Sequence, residues 1–239
     1  MFRTKNIVLL GPSHFKFFSN QCGLSKFSSV ETPLGDLKID SEAALKLESK
    51  DSNLFTTLSS NDDLREHSLE MQFPFLYKYF NPENISLIPI QVGKFSDPLK
   101  RREAAKMINE VIHDESRETF FIVSSDFCHY GVRFDYFPEL SNEGHSINEK
   151  ISIMDKEGLS ALNDSDPINA FAAYLKSTEN TICGQEAILL LLEILKQTNI
   201  KGEWRLIDYA QSNNLTSTND SFVSYLAASF EVENSVNRD

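Results

Sequence analysis

Five side chains in the sequence could bind a metal or transfer a proton: His14, His67, Asp126, His129 and Cys183. Imidazole and thiolate groups bind borderline and soft transition metals, and imidazole also exchanges protons near neutral pH. An Asp three residues before a His can fix the imidazole tautomer or orient a general base. These residue types predict a metal or thiol site if the fold brings them together.

Each of these side chains also has a structural interpretation, which the residues by themselves leave open. His14 could be a hydrogen-bonded loop residue, and His67 a member of a helix-capping region. Cys183 could pack as a small hydrophobic residue, which is the usual place of a free cysteine. Asp126 could cap a short turn.

Two predicted strands end at candidate residues. Residues 6–14 contain four aliphatic residues followed by Gly-Pro, which is typical of a buried parallel strand that runs into a loop. Residues 119–124 form a second apolar run, which predicts another buried strand, and Asp126 and His129 follow it directly. In open α/β sheets, ligands bind beyond the carboxyl ends of the strands. His14 is therefore in a position typical of a ligand-binding or catalytic residue.

Two predicted helices begin near the other candidates. The period of residues 64–80 indicates a helix that Pro74 interrupts or restarts, with His67 in its first turn, where the neutral, metal-binding imidazole is favoured. Cys183 directly precedes a helix over 185–197, and a helix N-terminus stabilises a thiolate. Residues 187–192 of this helix are apolar on nearly all sides, so we expect it to be buried.

The remaining patterns alternate between helices and strands and predict an α/β fold. We expect helices at 41–49 behind a Ser cap, 100–113, 147–162 and 167–176, strands at 86–92, 204–209 and 221–232, and an irregular hairpin at 26–39. This order predicts a mixed, largely parallel central sheet flanked by helices, with the last two strands antiparallel. We predict one domain over residues 1–233 and a flexible tail at 234–239.

Composition excludes several classes of partner. The 239 residues carry a formal charge of −12, which argues against nucleic acid, because affinity for phosphates comes largely from Lys and Arg. No apolar run approaches the length of a membrane span, so we expect no membrane insertion. Three cysteines form no secreted-type disulfide framework and fit a reducing compartment. We therefore expect a cytoplasmic protein, with the nucleus as a second location.

Six ordered motifs carry a resemblance to a known family. They are Gly-Pro-Ser-His at 11–14, Glu-His-Ser-Leu-Glu-Met at 66–71, Ser-Ser-Asp-Phe-Cys-His-Tyr-Gly at 124–131, Asn-Thr-Ile-Cys-Gly at 180–184, Asp-Tyr-Ala-Gln-Ser at 208–212 and Ser-Phe-Val-Ser-Tyr at 221–225. In these motifs the chain resembles the Memo family, named for mediating receptor-driven cell motility. The resemblance covers nearly all of residues 6–232.

The resemblance implies a fold similar to the class III extradiol dioxygenases of the LigB type, which are non-haem iron enzymes. It also implies a metal site of two histidines and one cysteine, carried onto His14, His67 and Cys183, with Asp126 and His129 as neighbouring groups that orient the ligands or transfer protons. Two imidazoles and a thiolate suit iron or copper, and zinc is chemically acceptable. A thiolate in place of the usual carboxylate favours a redox or metal-storage role over ring cleavage.

The sequence departs from the family pattern at its N-terminus. Family members carry a preceding segment with a Pro-His-Ala-Gly-Tyr-like motif that supplies a helix and a strand, whereas this sequence begins five residues before the strand that leads to His14. We therefore expect a domain that is short at its N-terminus relative to the family. Phe15 also stands where many relatives have another histidine.

The leading hypothesis is a metal-binding protein with an iron- or copper-dependent redox or metal-handling role, linked to cell motility and cytoskeletal signalling. If it is an enzyme, a metal-dependent oxidoreductase of the dioxygenase type is the expected class. One alternative is a metal-free module that binds a signalling protein or phosphopeptide through the same pocket. Another is a hydrolase that uses Cys183 as nucleophile and His129 or His14 as base.

Overall fold

The computed structural model describes residues 5–113, 118–141, 144–217 and 219–233. The described residues divide into two compact units. The first unit takes those of Met1–Ser124 and Gly184–Thr198, and the second those of Ser125–Cys183 and Asn199–Asp239. The prediction of one domain over residues 1–233 stays a prediction, and the predicted tail at 234–239 lies outside the described residues.

The first unit contains seven strands among its described residues: β1 (Lys5–Pro12), β2 (Cys22–Leu24), β3 (Ser29–Thr32), β4 (Gly35–Lys38), β5 (Phe55–Thr57), β6 (Ile85–Val92) and β7 (Glu118–Val123). Five of them form one sheet in the order β5-β2-β6-β1-β7, and β3 and β4 form a separate hairpin. The pairs β1–β6, β1–β7 and β2–β5 are parallel, whereas β2–β6 is antiparallel. The predicted mixed, largely parallel central sheet is therefore confirmed.

Strand β1 lies inside this sheet, and both of its faces are buried. Ile7 and Leu9 belong to a core cluster that also contains Leu37 of the hairpin and Phe73. Val8, which alternates with them, is also fully buried. Burial on both sides explains why the strand is continuously aliphatic and carries no polar alternation.

The described residues of the first unit also contain five α-helices: α1 (Ser41–Lys50), α2 (Ser60–Arg65), α3 (Phe73–Tyr79), α4 (Pro98–Ile112) and α7 (Gln185–Thr198). Helix α7 contacts β1 and β7, α1 contacts β5 and β6, and α4 packs against both α1 and α7. Residues 187–194 of α7 are all buried, which confirms the prediction of a buried helix. None of the helices within the described ranges is long and apolar enough to span a membrane.

The second unit combines the helices α5 (Ile147–Ala161) and α6 (Pro167–Thr178) with the strands β8 (His129–Gly131), β9 (Gly202–Gln211) and β10 (Ser221–Val232). The strands form a sheet in the order β8-β10-β9, and both pairs are antiparallel, as predicted for the last two strands. Helix α5 begins with a capping box, in which Ser146 and Glu149 each accept a backbone N–H of the other.

The predicted helix over 64–80 is wrong in its first half. Helix α2 ends at Arg65, residues 66–69 form a connection, and α3 starts at Phe73, with Pro74 in its first turn. The restart at Pro74 is confirmed, but His67 lies in the connection and not at a helix start. The cap of α1 also differs, because the Asp40 side chain accepts the N–H of Ala43.

Candidate functional site

His14 is fixed by a buried carboxylate just beyond the end of β1. The Glu66 side chain, only 1% exposed, lies 2.9 Å from His14 Nδ1 through Oε1 and accepts the His14 backbone N–H at 2.5 Å through Oε2. Ser68 Oγ donates to the Pro12 carbonyl at 2.7 Å, which holds the connection 66–69 against the end of the strand. The position of His14 therefore depends on Glu66 as much as on β1.

Glu66 carries its negative charge throughout the neutral pH range. Burial alone would raise the pKa of this carboxyl, but hydrogen bonds from the His14 side chain and from the N–H groups of Ser68 and His14 lower the pKa to about 2. Oε1 also accepts the His67 N–H at 3.0 Å. Because an ionised carboxylate only accepts hydrogen bonds, His14 Nδ1 carries the proton and Nε2 of the neutral ring carries the lone pair.

His67 stacks on His14. The two ring centroids lie 4.8 Å apart, with only 12° between the planes, and the Phe15 ring meets His67 edge-on. The His14 side chain is 34% exposed and the His67 side chain 58%. Solvent therefore reaches both imidazoles, while the carboxylate that orients His14 is buried.

His14, Glu66 and His67 form a group that could hold a metal ion, because one ligand atom from each lies within 4.8 Å of the others. The donor set fits a divalent transition metal, since a histidine whose Nδ1–H is held by a carboxylate presents a correctly oriented Nε2. The structure brings the two predicted histidine ligands together within the first unit. Membership of Cys183 in the same site stays a prediction.

The other three candidates lie in the second unit, and Asp126 contacts both of its partners there. The Asp126 N–H donates to Cys183 Sγ at 3.1 Å, and the Ser125 hydroxyl lies 3.9 Å from the same sulfur. A backbone N–H that points at sulfur stabilises negative charge on it. Cys183 is partly exposed, whereas Cys22 and Cys128 are buried.

His129 is held by backbone carbonyls. Its Nδ1 lies 3.0 Å from the Phe127 carbonyl and 2.9 Å from the Thr181 carbonyl, and Nε2 lies 3.8 Å from Asp126 Oδ2. Because a carbonyl oxygen can only accept a hydrogen bond, Nδ1 must carry a proton, and the lone pair of the neutral ring is on Nε2. The free nitrogen of the neutral His129 ring therefore lies on the side of Asp126.

A buried hydrogen-bond network supports the His129 segment. Asp155, on α5, is fully buried and accepts hydrogen bonds from Asn180 Nδ2 at 2.9 Å, Tyr209 OH at 2.9 Å and Ser224 Oγ at 2.6 Å. Ser224 Oγ in turn accepts the Cys128 N–H at 2.8 Å. Burial raises the pKa of Asp155 against these hydrogen bonds. The network connects α5 to β9 and β10 and to Cys128 and Asn180, the residues that precede His129 and Thr181.

The sequence analysis missed the roles of Glu66 and Asp155. Glu66 appeared in a motif next to His67, but nothing in its spacing indicated that it would reach His14. Asp155 had a clearer signal, since it lies one helical turn from Ile151 and Leu159 on the buried side of α5. A carboxylate on an apolar helix face must be hydrogen-bonded, and this requirement predicts a network.

Comparisons with known proteins agree with the motifs. A family model described as "Memo-like protein" matches residues 2–229. The chain is 36% identical over 225 residues to the Protein memo-1 homolog of Caenorhabditis elegans, covering 92% of this chain and 62% of the relative. It is 34% identical to a MEMO1 family protein of Schizosaccharomyces pombe and 36% identical to Protein MEMO1 of Homo sapiens, covering 95% and 96% of this chain and 78% and 76% of these relatives.

Among solved structures, an uncharacterized protein from Escherichia coli K12 is similar with a TM-score of 0.44 and 13% identity, over 94% of this chain and 87% of that chain. The likeness to class III extradiol dioxygenases beyond the α/β architecture stays a prediction. The family model covers nearly the whole sequence, and three relatives from a worm, a yeast and a mammal agree with it. The chain belongs to the Memo family.

Proposed function

We propose that the chain binds iron or copper through His14 and His67 and has a redox or metal-handling role. The observation that supports this most directly is the hydrogen bond between His14 Nδ1 and the buried, ionised Glu66, with His67 stacked on the same ring. A bound iron or copper ion would supply one-electron chemistry at this position. Glu66 orients His14 and strengthens it as a ligand.

The remaining residues of the proposal come from the family resemblance and have defined chemical roles. Cys183 is the third ligand, and its sulfur accepts a hydrogen bond from the Asp126 N–H at 3.1 Å. His129 accepts or returns a proton at Nε2, with Asp126 as its neighbour. If the protein is an enzyme, this set of groups suits a metal-dependent oxidoreductase.

Metal analysis of protein purified without added metal or chelator tests the proposal. We expect bound iron or copper, or a saturable site for one of them in a titration, with zinc as a weaker competitor. His14→Ala and His67→Ala should each abolish this site, and His145→Ala, which removes an exposed histidine, should not. Glu66→Gln should weaken binding by about 10- to 100-fold, as expected for a ligand-orienting group. Absence of both a bound ion and a titratable site would refute the proposal.

A spectroscopic experiment tests Cys183 separately. Cupric ion bound to a thiolate gives an intense visible charge-transfer band, which imidazole ligands alone do not give. We expect this band in the copper-loaded protein, its loss in Cys183→Ser and its retention in Cys22→Ala, which removes a buried thiol of the first unit. A site that binds copper with equal affinity in Cys183→Ser would remove Cys183 from the ligand set.

The proposed biological setting follows the family resemblance: a cytoplasmic protein, also present in the nucleus, with a link to motility signalling. Under the interaction alternative, a signalling protein or phosphopeptide binds in the same pocket without any metal. Binding of such a partner that survives both His14→Ala and Cys183→Ser would support that alternative. Binding that requires both residues and the metal would support the metal proposal.

The hydrolase alternative is favoured by one observation, the hydrogen bond from the Asp126 N–H to Cys183 Sγ, because the same contact would also stabilise a nucleophile. Alkylation by iodoacetamide distinguishes the two functions. A fast reaction of Cys183 that metal does not affect would support a nucleophile, and protection of Cys183 by iron or copper would support a ligand. The Cys183→Ser variant identifies the residue that reacts.

A further inference from the structure

The first unit contains a cavity of about 350 Å³ that lies between β6, the β3–β4 hairpin and the segment leading into α3. Phe27, Leu58, Leu69, Phe73 and Pro89 contribute an apolar wall. The volume lies at the lower end of the range for small-molecule pockets. The cavity is therefore suited to a compact organic molecule with an apolar body.

The polar part of the wall is acidic. Glu31, Asp63, Glu66 and Glu70 line the cavity, and none of the described lining residues is Lys, Arg or His. The Glu66 carboxylate is already bound to His14, but neither Glu31 nor Glu70 has an ion-pair partner within the described ranges.

Asp63 lies among polar neighbours that do not cancel its charge. Asp63 accepts hydrogen bonds from Ser25 Oγ at 2.6 Å and from the backbone N–H of Lys26. The positive charge of Lys26 also lowers the pKa of Asp63. Burial nevertheless raises the pKa of Asp63. A positive group placed in the cavity would offset this cost of burying the carboxylate.

Gln91 provides evidence for a ligand that does not depend on the acidic residues. It is only 2% exposed and lies on β6. It lines the cavity together with Pro89, which is two residues earlier and on the same face of the strand. One end of its amide lies 3.2 Å from Ser13 Oγ. The other end has no hydrogen-bond partner among the residues that the structure describes.

The orientation of the Gln91 amide follows from the single proton of the Ser13 hydroxyl. The structure places Gln91 Oε1 against Ser13 Oγ, but this hydroxyl has one proton and donates it to the Lys16 carbonyl at 2.7 Å. We therefore assign the amide in the turned orientation, with its NH₂ group towards Ser13. The carbonyl oxygen then takes the other end of the amide. A ligand N–H group in the cavity would give this oxygen a direct donor.

We propose that this cavity binds a small organic amine, whose ammonium group lies among Asp63, Glu70 and Gln91 and whose apolar body lies against Phe73 and Pro89. An ammonium group has three N–H donors and no acceptor, which matches a wall of carboxylates and one amide oxygen. A neutral alcohol of the same shape satisfies fewer of these acceptors, and a carboxylate is repelled. The proposal does not depend on a bound metal.

Titration calorimetry with three probes of similar shape tests the proposal: phenethylamine, 2-phenylethanol and 3-phenylpropionate. At neutral pH we expect the amine to bind at least about tenfold more tightly than the alcohol, and the carboxylate not to bind. Raising the salt concentration should weaken binding of the amine and leave binding of the alcohol unchanged. Equal affinities for amine and alcohol, or no binding of the amine at millimolar concentration, would overturn the proposal.

Variants then locate the binding site. Asp63→Asn combined with Glu70→Gln should reduce the affinity for phenethylamine by at least about fivefold and bring it close to the affinity for 2-phenylethanol. Glu103→Gln combined with Glu110→Gln removes an equal charge, two carboxylates, on the exposed side of α4 and should leave both affinities unchanged. Thermal unfolding of each variant verifies that it is folded.

Two further results would count against the assignment. An unchanged affinity in the double variant would place the amine elsewhere. Tighter binding of an acetylated, amidated lysine than of phenethylamine would indicate that the site recognises a protein side chain and not a free amine. Because these titrations need no metal, their failure is distinct from failure of the metal proposal.

Discussion

Asp155 is the residue whose replacement tests the structure of the second unit most sharply. Its carboxylate is fully buried and is the acceptor for Asn180 Nδ2, Tyr209 OH and Ser224 Oγ. Asp155→Ala leaves these three donors without their acceptor, at a cost of about 1–3 kcal/mol for each buried group. Removing the buried charge itself offsets part of this cost, so we expect a net loss of about 3–5 kcal/mol in the free energy of unfolding.

Asp155→Asn should cost less, because Asn180 can adapt to it. Asn180 Oδ1 is buried and has no hydrogen-bond partner within the described part of the chain. If the Asn180 amide flips, its oxygen takes the present position of the nitrogen, 2.6 Å from the Tyr174 hydroxyl. There it accepts one hydrogen bond from this hydroxyl and one from the new NH₂ group at position 155. The remaining oxygen of the new amide still accepts from Tyr209 and Ser224. The turned NH₂ group of Asn180 then lies where the buried oxygen had no partner, so we expect a loss of about 1–3 kcal/mol, which is less than in Asp155→Ala.

The assay is urea unfolding followed by the fluorescence of Trp204, the single tryptophan, which lies on β9 in the same unit and packs near Phe230. A loss of stability in Asp155→Asn as large as that in Asp155→Ala would refute the network. The pH dependence provides a second readout. Burial raises the pKa of Asp155 in the folded state, so its contribution to stability declines as pH rises through that pKa. Asp155→Asn should remove this slope.

Three further outcomes are expected. Asp220 accepts hydrogen bonds from the backbone N–H groups and the hydroxyls of Thr216 and Ser217, which lower its pKa to about 2. The stabilisation that these bonds provide is present above pH 3.8 and should be lost as pH falls towards 2. Amide exchange at Thr216 and Ser217 would show this loss. Gly131→Ala should cost more than about 1 kcal/mol in chemical unfolding, because φ is +101° and a Cβ would lie 2.3 Å from the Asp220 carbonyl oxygen. In thiol labelling of the native protein, Cys183 should react first, because burial raises the pKa of Cys22 to about 12 and raises that of Cys128.

The sequence predicts most of the secondary structure because apolar periodicity is strong where both sides of an element are buried. Strand β1 and helix α7 are the clearest cases, and both lie within one or two residues of their predicted bounds. Strand β7 was expected to be buried, but Phe120 is 49% exposed. In the described sheet β7 pairs only with β1 and is an edge strand, and neighbour relations of this kind are not encoded in the local pattern.

The break in the predicted helix over 64–80 has a local cause that periodicity does not show. Glu66 Oε1 accepts the N–H groups of both His67 and Ser68 at 3.0 Å. These side-chain bonds replace the carbonyl acceptors that a continuing helix would supply, so the chain leaves the helical path after Arg65. The interruption turns the Glu66 carboxylate towards His14, which lies 52 residues earlier in the chain. A contact of such separation cannot be predicted from spacing.

His14 and His129 differ in the group that accepts a hydrogen bond from Nδ1, and this difference affects the chemistry of each ring. His14 Nδ1 faces an ionised carboxylate, which increases the electron density on the ring and strengthens Nε2 as a metal ligand. His129 Nδ1 faces two neutral carbonyls, which fix the tautomer without adding charge and leave Nε2 to exchange protons. This difference is the physical reason why we propose metal binding for His14 and proton transfer for His129, although both are strand-end histidines in the sequence. Glu66→Gln should therefore weaken metal binding and leave the tautomer of His129 unchanged in a nitrogen NMR spectrum.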